Sequence, residues 1–355
     1  MRRLSVKAIK GDEVLARDVI SGNDKILLPA GSKLKAEYRN HLQRLGVTAV
    51  YVTDALSIGV CSERVSEDAI REECLNSVRA VLERFSYNTD VKQSGIHKIA
   101  EEIMNEVLEE RNVVYCLAGV RQHWDELYSH SINVAVLASL IALHMGIARE
   151  DVKDITVGSL LHDIGYNAVS VKKGRQQEAA YTQEEKRELK KHVIYGYSMV
   201  EKEEWLSNVS KYIILEHHEM INGTGYPFKR DGEHMTTAIK IVSLCNEFDS
   251  LVYGRHGKSL KVHEAIEYII SQSGQRFEHS VVAAFNEIVA AYPNGTIVVT
   301  NEGDIGIVLR QNNCCPTRPV IRLLQNKENI RYNDWIERNL TECLTLFIVD
   351  TLETI

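Results

Sequence analysis

The run Leu160-Leu161-His162-Asp163-Ile164-Gly165 closes an apolar-periodic stretch that begins near Val152. A second run, His217-His218-Glu219, starts 54 residues after Asp163 and is closed by Gly223-Thr224-Gly225-Tyr226-Pro227. Between and around them the apolar spacing is helical. Ile132 to Met145 is apolar nearly all round, so it should be buried, with Gly146 to end it. Gln183 to Lys202 reads as a charged helix, with Thr182 as its cap and Glu185 three residues on. Val209 to His218, Ala238 to Val252, Val262 to Ser271 and Ser280 to Tyr292 follow as further helices. Residues 113–293 are therefore expected to form a helical bundle.

Histidines recur within this bundle. His130 opens the buried helix, His162 ends the next, His192 lies within a third, and His217 and His218 close a fourth. Facing helices that project such side chains inward are how bundles assemble binuclear metal sites. Imidazole and carboxylate together suit iron, manganese or zinc and leave room for a water to act as nucleophile. Asp163 has two oxygens and can bridge two ions. Taken singly, His130 reads as a helix-start residue, His192 as a surface residue beside Lys190 and Lys191, and the 217/218 pair as favourable cations at a helix C-terminus. Their joint presence around one His-Asp pair points to ligands. His123, His144, His234, His256, His263 and His279 have no such setting. In the loop after the His pair, two glycines permit close backbone approach, Pro227 stiffens the exit and Tyr226 offers a ring and a hydroxyl.

The bulk numbers agree with a multi-domain globular protein. The chain has 355 residues, 44% hydrophobic and 26% charged, with a net charge of −7. Acids and bases are interspersed, which argues against a duplex nucleic-acid partner. The seven cysteines are scattered, odd in number and without a CxxC, as expected of reduced thiols. No apolar stretch approaches the roughly 20 residues of a membrane span, and Met1-Arg2-Arg3-Leu4 is not followed by an apolar leader. A cytoplasmic location is the expectation.

The flanks differ from the bundle. Residues 1–62 read as a small α+β regulatory unit. Val14-Leu15-Ala16 and Lys25 to Leu28 are expected as strands, Leu34 to Leu45 as a helix ended by Gly46, and Val47 to Val52 as another strand. Residues 63–112 form a charged helical linker. Narrow stripes on it (Ile70, Cys74, Val78, Val81 and Leu82, then Ile99, Ile103, Val107 and Leu108) suit a connecting helical pair or a homodimer contact. Residues 294–355 are a β-rich extension, with strands at Thr296 to Thr300, Ile305 to Leu309 and Val320 to Leu324. The fold class is thus mainly α, with an α+β N-terminal unit and a β-rich C-terminal appendage.

The chain from His130 through Asp249, and more loosely 113–293, resembles the HD-GYP family, a branch of the HD phosphohydrolases. The carriers are His130-Ser131-Ile132-Asn133-Val134-Ala135, Leu160 through Gly165, His192, His217-His218-Glu219 and Gly225-Tyr226-Pro227. Leu15-Ala16-Arg17-Asp18-Val19 and Leu28-Pro29-Ala30-Gly31 also resemble a segment often placed before this domain. The resemblance implies an HD-type all-α core and a centre of two or three divalent transition-metal ions. Iron or manganese is expected there, with zinc, nickel or magnesium as alternatives. It implies hydrolysis of the bacterial second messenger cyclic di-GMP to pGpG or GMP. By motif, His130, His162, Asp163, His192, His217 and His218 would be metal ligands, and His162 with Asp163 the catalytic pair. Glu126, four residues before His130, resembles an added ligand of three-metal members. Arg255 and Lys258 match phosphate-binding positions, and Gly225, Tyr226 and Tyr166 would border substrate.

Two positions depart from the pattern. Tyr166 stands where the family usually has lysine, and Asn246, three residues before Asp249, stands where a metal-binding aspartate is usual. One lysine charge and one carboxylate charge are therefore lost from the site. Metal binding should survive with slower turnover. The alternatives are an impaired cyclic-dinucleotide receptor or scaffold, and a hydrolase of another nucleotide.

Overall fold

A computed structural model describes residues 1–20, 26–45, 47, 49–60, 93–109, 126–171, 181–254, 259–312 and 315–353. The described helices that build the bundle are α2 (Gln93–Glu109), α3 (Glu126–His144), α4 (Arg149–Leu161), α5 (Gln183–Lys190), α6 (His192–Val200), α7 (Asn208–Glu216), α8 (Thr237–Tyr253), α9 (Val262–Ser271) and α10 (His279–Ile288). The expected helical bundle and β-rich appendage are both present.

The helical unit folds on an apolar centre that includes Ile99, Ile103, Ile132, Ala135, Val157, Leu160, Leu161, Ile164 and Ile214. Helix α3 is buried along most of its described length, as its all-round apolar sequence requires. Small residues let backbones touch. A methyl group built on Gly158 of α4 would meet Ile213 and the Ser210 backbone of α7 at 2.9–3.0 Å. The single helix expected over Gln183 to Lys202 is instead two. The chain turns at Lys191, whose amide donates back to Glu188 O, and α6 starts at His192. The cap expected at Thr182 is there, with Glu185 completing the reciprocal box. Helix α8 ends at Gly254, which takes the left-handed conformation at φ 70°.

The described residues of 1–67 and 289–355 form a second compact unit. Strand β1 (Arg2–Ser5) pairs antiparallel with β5 (Ala49–Thr53), and β2 (Val14–Leu15) pairs with the other side of β5. A short ribbon joins β3 (Val19–Ile20) to β4 (Ile26–Leu28). Helix α1 (Tyr38–Arg44) is shorter than the Leu34–Leu45 expectation. Leu34 precedes it yet is fully buried, packed by tertiary contacts rather than by helical register.

The C-terminal strands β6 (Ile297–Thr300), β7 (Ile305–Arg310), β8 (Val320–Gln325), β9 (Arg331–Asn339) and β10 (Ile348–Leu352) make one antiparallel sheet, ordered β10-β6-β7-β8-β9. The two ends of the chain meet in this unit. Val60 packs with Ile297, Ile307 and Leu309, and Arg322 donates to Ile58 O at 2.5 Å. Arg2 pairs with Asp54 at 2.5 Å while its Cβ lies against Gly295.

Among the described residues no helix is long and apolar enough to cross a membrane. Most of the 63–112 segment expected to support a homodimer lies outside the described residues. Its described part, α2, buries Ile99 and Ile103 in the helical core of its own chain.

Candidate metal centre

Four helix ends deliver the histidines. His130 sits one turn into α3, because that helix begins at Glu126 rather than at His130. His162 caps α4, Asp163 follows it, His192 begins α6 and His217 caps α7. His130, His162, His192 and His217 are fully buried, Asp163 is nearly so, and His218 is partly exposed.

Backbone packing fixes these positions. The turn after Asp163, Ile164–Ala168, is a 3-10 helix laid on the start of α6. A methyl group on Gly165 would lie 1.8 Å from His192 O and 2.5 Å from Gly196 N. The glycine of the His-Asp-Ile-Gly run is therefore what lets His192 approach Asp163. Gly225 plays the same part for the second run. A methyl group there would meet Glu219 Cα, His218 O and Met220 N, all at 2.5 Å. Gly225 is buried, so its contribution is to seat Tyr226, whose ring stacks on His218 at 4.5 Å and 16°.

The hydrogen bonds set the tautomers. His130 Nδ1 faces Asp249 Oδ2 at 2.5 Å, and Asp249 also accepts from Asn133 Nδ2 at 2.7 Å. His162 Nδ1 faces Ser159 O at 2.7 Å, and His192 Nδ1 faces Leu189 O at 2.8 Å. His217 Nδ1 faces Ile213 O and Ile214 O, both at 3.1 Å. Each partner is an acceptor, so each Nδ1 carries the hydrogen and each Nε2 presents a lone pair. Burial also holds the His162 imidazolium well below its usual range, despite Asp163 beside it, so the ring is neutral and ready to ligate.

Those lone pairs converge. His130 Nε2 lies 3.1 Å from His162 Nε2, and His192 Nε2 lies 3.3 Å from His217 Nε2. Two acceptors at that distance repel unless a cation sits between them. Asp163 Oδ1 is 3.4, 3.5 and 3.6 Å from Nε2 of His162, His192 and His217, and its Oδ2 is 3.7 Å from His130 Nε2. Ligand atoms about 2.1 Å from one ion, at tetrahedral or octahedral angles, are separated by roughly 3.0–3.4 Å. The donors thus fit divalent ions in chemistry and in spacing. They form two groups that share Asp163: Asp163 with His192, His217 and His218, and Asp163 with His130 and His162.

Asn246 faces the second group, its Oδ1 2.9 Å from His130 Nε2. Tyr166 stacks face to face on His192, with ring centroids 4.0 Å apart at 9°. Both residues that depart from the family pattern therefore lie at the centre. Glu126 is helical, but its side chain lies outside the described residues, as do Arg255 and Lys258.

Sequence reasoning assigned no role to Glu219, which is fully buried. Its carboxylate accepts from the Phe228 and Lys229 amides on Oε1 at 2.6 and 3.0 Å and from the Arg230 amide on Oε2 at 3.0 Å. It thereby clamps the loop that follows Tyr226. The signal was present as an acid directly after the His217-His218 pair, but nothing local says that its partners are amides nine to eleven residues on. Glu219→Gln turns one acceptor oxygen into a donor that faces amide hydrogens. A loss of about 1–3 kcal/mol is expected in urea unfolding. Unchanged stability would mean that the clamp contributes nothing.

The HD domain profile matches residues 112–281, and a KOW domain associated with the HD domain matches residues 297–354. The cyclic di-GMP phosphodiesterase PA4108 of Pseudomonas aeruginosa is 28% identical over 219 residues, 60% of this chain and 51% of that protein. The cyclic di-GMP phosphodiesterase response regulator RpfG of Xanthomonas campestris is 30% identical over 189 residues, 51% of this chain and 49% of that protein. The chain spans about half the length of these curated relatives. Among solved structures, Bd1817, a HDG"Y"P protein from Bdellovibrio bacteriovorus, shares the fold at a TM-score of 0.54 and 19% identity, covering 81% of this chain and 98% of that one. The His-Asp pair, the distant histidines and the GYP loop are thus gathered in one helical unit, and residues 112–281, which hold them, match the HD domain family.

Proposed function

We propose that this chain is a metal-dependent phosphodiesterase that hydrolyses cyclic di-GMP to pGpG or GMP. The observation that carries the reading is the pair of donor groups sharing Asp163, with imidazole lone pairs facing each other at 3.1 and 3.3 Å. His130 and His162 would hold one ion, His192, His217 and His218 the other, with Asp163 between them. Glu126 is the candidate for a third. Iron or manganese suits this nitrogen-rich set, and zinc, nickel or magnesium remain alternatives. Ions bound there supply Lewis-acid charge on a phosphoryl oxygen and make a water acidic near neutral pH.

The chain's own residues do the rest. Ser159, Leu189, Ile213 and Ile214 carbonyls and the Asp249 carboxylate keep the ligand nitrogens aimed inward. Burial excludes bulk water from the histidines and leaves the His218–Tyr226 side open. Arg255 and Lys258 are proposed to hold phosphate, with the Tyr226 hydroxyl bordering the substrate. In the reaction a water oxygen bonds to phosphorus, the bond to the ribose 3′ oxygen breaks, and that oxygen takes up a proton. The names of the relatives support a cyclic dinucleotide as substrate, and a cytoplasmic site of action follows from where such messengers act.

Asn246 and Tyr166 favour a second reading, a receptor with little turnover. An amide can swing its N–H toward the His130 lone pair, competing with an ion in a way aspartate cannot. Tyr166 brings no charge to its side of the centre. Purified protein with retained metal is assayed for cyclic di-GMP turnover by chromatography. Turnover supports the enzyme, and tight binding without turnover supports the receptor. The double variant Asn246→Asp, Tyr166→Lys is expected to bind metal more tightly in a chelator competition and to turn over at least about tenfold faster. No gain in either would count against the assigned roles.

A further inference from the structure

Moving outward from His218, the chain presents two aromatic rings, each with a cation. Tyr226 stacks on His218, and Lys190 Nζ lies 5.0 Å from its ring centroid. Two residues on, Phe228 is 55% exposed, and the Arg230 guanidinium lies 5.3 Å from its ring. The loop that carries them is rigidly held. Glu219 takes three consecutive amides, and Lys229 adopts φ 58° to allow it. The Arg230 guanidinium is fixed by Glu216 at 3.1 Å, an acid whose side chain is only 3% exposed and which adjoins the ligand His217. A large apolar ring is thus held out toward water on a constrained loop, with the Arg230 guanidinium beside it.

The geometry points to a base-binding subsite: we infer that Phe228, extended by the flat guanidinium of Arg230, stacks a purine, while Lys190 attracts the adjoining phosphate. The inference rests on the phosphodiesterase reading for its substrate but concerns residues outside the metal centre and outside 255–258. Aromatic stacking tolerates any base, so the rim supplies affinity for the bases of the substrate, here purines, rather than choice among bases. A chain of two residues spans at most about 7 Å, which keeps Phe228 within one nucleotide of the ring stacked on His218.

The test measures calorimetric binding of GMP and ribose 5-phosphate to the metal-loaded full chain, together with the KM for cyclic di-GMP. In Phe228→Ala, GMP binding is expected to weaken roughly tenfold and KM to rise by a similar factor, with ribose 5-phosphate binding and metal content unchanged. Phe228→Trp is expected to restore GMP binding. Wild-type GMP affinity in Phe228→Ala overturns the subsite, as does an equal loss for ribose 5-phosphate, which would report collapse of the loop. Phe228-dependent GMP binding in a chain that leaves cyclic di-GMP intact upholds the subsite and overturns the substrate reading. A wild-type chain that binds neither GMP nor cyclic di-GMP overturns both.

Discussion

Asp163→Ala is expected to empty the centre: metal content should fall to background, and turnover should drop by on the order of 10³-fold or more. The reason is geometric. Among the described residues Asp163 alone offers carboxylate oxygens to both donor groups, with Nε2 atoms of four histidines within 3.4–3.7 Å. Without it the remaining donors are imidazoles whose Nε2 atoms face each other at 3.1 and 3.3 Å. The centre would then lack both the carboxylate shared by its two donor groups and the negative charge that histidines cannot supply to a divalent ion. Asp163→Asn keeps the shape and one oxygen but not the charge, so it should retain some metal and little turnover. Elemental analysis of the purified variants, read beside cyclic di-GMP hydrolysis, separates the two effects. An Asp163→Ala protein that keeps its full metal complement would sink the shared-ligand arrangement.

The convergence of these candidate donors was legible in the sequence because histidine is a rare residue type with little else to do in a helical core. His130, His162, Asp163, His192, His217 and His218 all converge, although they lie up to 88 positions apart in the chain. What could not be read is how they are held. The break at Lys191 that makes His192 a helix start is invisible in a run of good helix formers, since it is imposed by the turn packed against it. Glu219 looks like any acid until its loop folds back. Strand β9 escaped for a different reason. Residues 331–339, Arg-Tyr-Asn-Asp-Trp-Ile-Glu-Arg-Asn, have no buried face, so no alternation marks them, and their pairing with β8 is set by the sheet. The meeting of the chain's two ends through Val60, Ile297 and Arg322 is likewise a tertiary fact that local patterning does not carry.

Close packing at Gly165 underlies the largest expected stability effect. Gly165 has no positive φ, so its need for glycine is one of space, not of backbone conformation. An added methyl carbon would sit 1.8 Å from His192 O, 2.5 Å from Gly196 N and 2.8 Å from His192 C. All three are backbone atoms of α6 and cannot swing aside as a side-chain tip would. The 3-10 turn and α6 must separate, and α6 is itself held by Gly196 against Ile214 of α7. Gly165→Ala should therefore cost about 3 kcal/mol or more in urea unfolding. It should also weaken metal binding, because the displaced turn carries Asp163 away from His192 Nε2, now 3.5 Å from Oδ1. Gly146→Ala is the control. A methyl group there meets nothing within 4 Å, but φ is 76°, so only about 1 kcal/mol of backbone strain is expected, with metal content intact. If Gly165→Ala unfolds at the wild-type urea concentration and holds its metal, the turn and the helix are not in contact, and the placement of His192 beside Asp163 loses its structural basis.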